Sequence, residues 1–206
     1  MSDTCEQRKR PRMLCWPPQC CVPAFVYAAL LSEDIEPIEP QFLARMIGVR
    51  VGPGDANPYG LPIASKKKEF GVTAGDAKIA IGRLLDMHAN HLGFRHIPFS
   101  TIQFELYPDV LREALESKCY VGAGVDPSRL PIPALQGLRH VVRLAALDGV
   151  RIQFIDDCSQ TPSLIEIDWD TLERAILAVD DGFWVIGRKE CLAFKNSLPI
   201  SGVTSL

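Results

Sequence analysis

The sequence predicts an α+β fold, with helices in the first half and mainly antiparallel strands in the second. Three observations lead there. Residues 22–31 are almost wholly apolar and helical in character, so a helix here would be buried on all sides. Residues 140–147 and 150–156 flank Asp148-Gly149, a hairpin pattern with a type I′ turn signal. Helix patterns precede strand patterns along the chain, with no internal repeat and no low-complexity segment.

The remaining elements follow in order. Residues 32–40 are acidic and punctuated by proline, and 41–48 form a second short helix that ends in glycine. Residues 52–60 are dense in turn formers and read as a loop, either a lid over a cleft or a connector. Thr73 is a good N-cap for a helix running to about His91, and 109–117 form another short helix. Residues 119–125 read as a strand, and 126–136 carry three prolines and read as a loop. An amphipathic helix over 168–179 and a closing strand over 182–186 complete the chain.

Composition narrows the function classes. With 206 residues, 47% hydrophobic and 23% charged, the chain can bury one sizeable core. A net charge of −3 gives no reason to expect a nucleic-acid partner, and the basic runs at 8–12 and 66–68 lack interleaved aromatics. No stretch approaches the ~20 apolar residues of a membrane span, and the first twelve residues do not read as a secretory signal. The expectation is a cytoplasmic protein whose seven cysteines are mostly reduced. No C-x-x-C pair occurs, which argues against a disulfide framework and a zinc ribbon. Asp86, His88 and His91 lie on one polar helix end, with His96 soon after, and no metal is expected there or elsewhere.

Chemistry is concentrated at residues 17–31, PPQCCVPAFVYAALL. A helix N-terminus carries partial positive charge and unpaired N–H groups, and both favour a thiolate. Proline is favoured in a first helical turn, so Pro23 puts the helix start at about Val22, with Cys21 at its cap and Cys20 just outside as its packed neighbour. A nucleophilic thiol needs a base within hydrogen-bond reach and an acceptor that orients the base. Of the four histidines only His140 heads a strand. Asp156 and Asp157 end the strand that returns beside it, so either carboxylate can accept from the imidazole. Asp156 is preferred because it shares the side of Ile152 and Phe154.

Cys21-Val-Pro-Ala opening an apolar helix, His140-Val-Val late in the chain, and an acid after a hairpin resemble the papain-like cysteine peptidase and acyltransferase superfamily. The nearest likeness is to the double-glycine leader peptidase group and to related natural-product acyltransferases. There Cys-Gly-Pro-Ala begins the helix and His heads a strand followed by Asn-Asp-Pro. This sequence departs from the pattern in Val22, in Cys20, and in Asp157-Cys158. Relatives carry an oxyanion glutamine five or six residues before the cysteine, where this chain has Trp16 and Cys15, so Gln19 is the candidate here.

The resemblance covers about residues 17–187 and implies a two-lobe papain-like fold. Its catalytic domain would span 17–190, with a helical lobe at about 17–118 and an antiparallel β-sheet lobe at about 119–190. A basic N-terminal tail (1–16) and a C-terminal tail (191–206) would flank it. It implies Cys21, His140 and Asp156 as a triad, Gln19 and Asp157 as secondary candidates, and no cofactor. Trp16 either lines the acyl pocket or packs under a loop. The substrate would be a peptide, an amide or a carrier-bound thioester. The outcome would be hydrolysis, amide formation in biosynthesis, or binding alone if the fold is catalytically degenerate.

Overall fold

The structure is a computed structural model describing residues 16, 17, 19–36, 38–66, 69–101, 107–131, 139–159 and 163–192. The basic run at 8–12, Cys15, Lys67 and Lys68, residues 132–138 of the proline-rich loop, and the C-terminal tail beyond 192 lie outside them.

The order is α1 (Cys21–Ser32), α2 (Pro40–Ile47), α3 (Ala74–His88), β1 (Leu92–Pro98), α4 (Tyr107–Glu116), β2 (Tyr120–Val125), β3 (His140–Asp148), β4 (Arg151–Ile155), β5 (Leu164–Asp168), α5 (Trp169–Leu177) and β6 (Gly182–Arg188). The strands form one sheet in the order β1-β6-β2-β3-β4-β5, and every neighbouring pair is antiparallel. The α+β class is as the sequence predicts. β1 and β5, the two outer strands, were not expected. β1 also lies in the helix-rich first half, so helices and strands are not strictly segregated.

Side-chain alternation explains why the sheet is covered on both faces. Val142, Leu144, Phe183 and Val185 point into a core closed by Val110 and Leu111 of α4 and by Leu172 and Ile176 of α5. Val141, Trp184 and Ile186 point the other way, into a core built from Phe25 and Leu30 of α1, Ile47 of α2, and Ile81 and Leu85 of α3. A strand buried on both faces has no polar side to show, so His140-Val-Val reads as a run rather than an alternation.

Local signals account for most element ends. Thr73 caps α3 by accepting from the Asp76 N–H, and Asp168 caps α5 by accepting from the Thr171 N–H. α2 stops at Gly48, which takes the left-handed conformation at φ 85°. Two expectations shift. Helix α1 begins at Cys21 with Cys20 as its cap, because Pro23 occupies the third helical position rather than the second. The hairpin turn centres on Gly149-Val150, since Asp148 pairs with Arg151. Only Gly149 of the two has a positive φ, which fits type II′ rather than I′.

Candidate active site

Helix α1 holds its first residue where two layers meet. Val22, Phe25, Val26 and Leu30 are buried in the core beneath the sheet, while Cys21 is only partly covered. Phe25, one turn beyond Cys21, seats its ring over Gly122 of β2, where a Cβ would lie 2.8 Å from the ring. The glycine therefore permits the close approach that sets the helix on the strands. Cys20 is fully buried, and burial first and the neighbouring Cys21 second push its thiol up to about 12. It is a packing residue.

His140 opens β3 and is 7% exposed. Its Nε2–H donates to Asp156 Oδ1 at 2.9 Å, and Asp156 is 6% exposed. The Cys21 thiol is close enough to act on the ring electrostatically. Burial opposes a charged imidazole, but the bonds and charges of Asp156 and Cys21 outweigh it and push His140 up to about 10. Cys21 and Asp156 thus both bear on the His140 ring at the head of β3.

Asp156 follows the last residue of β4, and its carbonyl accepts from the Ser159 N–H in a tight turn. Its Oδ1 also accepts from the Cys158 N–H at 3.0 Å. Asp157 goes elsewhere. Arg143 of β3 reaches its carboxylate through Nε (3.2 Å to each oxygen) and Nη2 (3.1 Å), and the Tyr120 hydroxyl donates to it at 3.1 Å. Burial raises the Asp157 carboxyl above the usual range, against the pull of Arg143 and Tyr120. Burial, then Cys21 and Asp156, hold the Cys158 thiol well above an ordinary thiol.

Gln19 adopts a left-handed φ of 65°, a reversal just ahead of the helix. Its Nε2–H donates to Asp55 Oδ2 at 2.9 Å, and the same oxygen accepts from the Gly52 N–H. That leaves one side-chain N–H of Gln19 beyond this contact. Its Oε1 is buried with no hydrogen-bond partner among the described residues. Trp16 packs edge-on against Tyr27 of α1 (5.7 Å between ring centroids) and Tyr59 (6.4 Å). Through Asp55 and Tyr59 the loop after Gly52 rests on the segment that precedes α1.

The histidines of the polar helix end separate. His96 Nε2–H donates to Asp181 Oδ1 at 2.7 Å, an oxygen that also accepts from Trp184 Nε1–H and the Gly182 N–H. Asp86 pairs with Lys189 at 3.0 Å. No group of three or more His, Cys, Asp and Glu among the described residues is arranged to hold a metal ion.

Arg143, Tyr120, Cys158 and the His96–Asp181 pair were not anticipated. Arg143 alone left a signal, as the single charge inside the apolar run 140–147, where a buried cation needs an acid. No helix among the described residues is long and apolar enough to cross a membrane.

No protein-family pattern and no curated protein matches the sequence. A solved structure from Bacillus anthracis, described provisionally as a C39-like peptidase, is similar over 89% of this chain and 96% of that one. The TM-score is 0.56 at 15% identity. The likeness shows the fold, which is that of papain-like cysteine peptidases.

Proposed function

On a papain-like cysteine peptidase fold, we propose that this chain is a cysteine-dependent acyl-transfer enzyme that cleaves a peptide, amide or thioester bond. The observation that supports it most is the buried His140 ring, bonded to Asp156 and subject to the charge of Cys21 at the helix start. Cys21 Sγ attacks the acyl carbon, and the imidazolium of His140 gives its proton to the leaving amine or thiol. A thioester to Cys21 forms. Water or an amine then attacks that thioester, His140 takes the incoming proton, and the Cys21 thiolate leaves. Asp156 holds His140 in the tautomer and orientation both steps need.

The developing oxyanion would meet the Cys21 N–H, which belongs to a first helical turn without helical acceptors, and the remaining side-chain N–H of Gln19. Trp16 would flank the acyl group from the Tyr27 side. Water as acceptor gives a hydrolase and an amine gives an amide-forming transferase. We assign the protein to the cytoplasm, a reading supported by free Cys20, Cys21, Cys119, Cys158 and Cys191.

The test is alkylation of Cys21 at pH 6, read by mass spectrometry, in the wild type and in His140→Ala. Cys21 should label far faster than the other cysteines, and should slow sharply without His140. Labelling no faster than the other thiols, and indifferent to His140→Ala, would leave a binding protein on this fold instead.

A further inference from the structure

We propose that Tyr120, Arg143 and Asp157 are positioning residues: they clamp the Asp156 turn to helix α1 and keep Asp157 away from His140. The inference rests on the acyl-transfer reading above.

Two adjacent carboxylates, Asp156 and Asp157, follow β4, and only Asp156 bonds the His140 imidazole. Arg143 decides which. Its guanidinium grips Asp157 through Nε and Nη2, a planar fork that fixes orientation as well as distance. Arg143 lies opposite Ile155, the residue just before Asp156, so the grip closes across the strand pair and pulls on the turn itself. With Asp157 engaged there, Asp156 is left for His140 and for the Cys158 N–H.

Tyr120 carries the connection to the other half of the site. Its hydroxyl donates to Asp157 Oδ2, its ring lies 5.2 Å from that of Phe25, and the Arg143 guanidinium carbon sits 5.3 Å from its ring centroid. Phe25 is one helical turn from Cys21. An unbroken line of contacts therefore runs from the thiol's helix through Phe25, Tyr120 and Asp157 to the backbone of Asp156. Movement of the acid turn relative to α1 must break it.

Tyr120→Phe keeps the ring contact with Phe25 and removes only the bond to Asp157. Cys21 alkylation at pH 6 should fall roughly 3- to 10-fold, the factor one hydrogen bond is worth. At pH 10, where thiols ionise unaided, the rate should be unchanged. Arg143→Lys keeps the charge but loses the fork and should show the same loss at pH 6. His140→Ala run alongside separates the two claims. If it slows Cys21 while Tyr120→Phe matches the wild type at pH 6, the clamp is overturned and the three residues only support packing. An equal slowing of Tyr120→Phe at both pH values also overturns it. If His140→Ala itself changes nothing, the acyl-transfer reading fails and the clamp with it. Should Arg143→Lys not fold, Tyr120→Phe decides alone.

Discussion

Asp156→Asn isolates the charge on the acid from its geometry. Asparagine still offers an oxygen to the Nε2–H of His140, now 2.9 Å away, and to the Cys158 N–H at 3.0 Å. What disappears is the carboxylate's charge. A hydrogen bond to a charged group is worth about 1.5–3 kcal/mol and a neutral one about 0.5–1.5, so the loss is about 1–1.5 kcal/mol. At 1.36 kcal/mol per unit that is roughly one pKa unit. His140, held up to about 10 in the wild type, should titrate near 9 in the variant, a change of about one unit.

The assay is an NMR titration of 13C-labelled imidazoles, with His140→Ala to assign the resonance. Stability gives a second reading. A histidine whose pKa is raised on folding contributes stability fully below its unfolded value near 6.5, and loses it as pH rises through the folded value. The variant should therefore be about 1 kcal/mol less stable in urea at pH 8, with the gap closing between about pH 9 and pH 10. A His140 midpoint unmoved by Asp156→Asn, or near 6.5 in the wild type, would show that the Asp156 charge does not hold the imidazolium.

Two further outcomes follow from the packing. Gly124→Ala would drive a methyl into the Asp181 side chain and break its bonds to His96, Trp184 and Gly182, costing about 2–4 kcal/mol in urea unfolding. Gln19→Ala should slow acylation by an activated thioester about 100- to 1,000-fold if its side chain serves the oxyanion, and leave Cys21 alkylation untouched. An unchanged acylation rate would remove Gln19 from the site.

The sequence made the helix-first order, the β3–β4 hairpin and helix α1 legible, because each depends on local pattern or on proline placement. It did not disclose β1, whose burial shows no period-two alternation. β5 does alternate, with Ile165 and Ile167 turned inward, but five residues are too few to stand out beside the capped helix that follows. At the candidate site, Cys21 and His140 announce themselves by where they stand on their elements. For Asp156 against Asp157 the same reasoning gives only a preference, since strand alternation points to Asp156. Both lie past the end of β4, where strand alternation no longer dictates direction, and Arg143 on the neighbouring strand is what draws Asp157 aside. His96 and Asp181 stand far apart in sequence, so no local pattern could join them.

The core that seats α1 is closed by Trp184 and Ile186, from the last strand of the sheet. The thiol leaves the ribosome well before the strands that fix its helix and bring His140 beside it. At the usual pace of translation the delay is roughly 10–30 seconds. During that interval Cys21 sits on an unpacked chain without its imidazole, as an ordinary thiol among several. If Cys21 is the acylated thiol, it gains its imidazole only when the sheet is complete, and an unfinished chain is spared premature acylation.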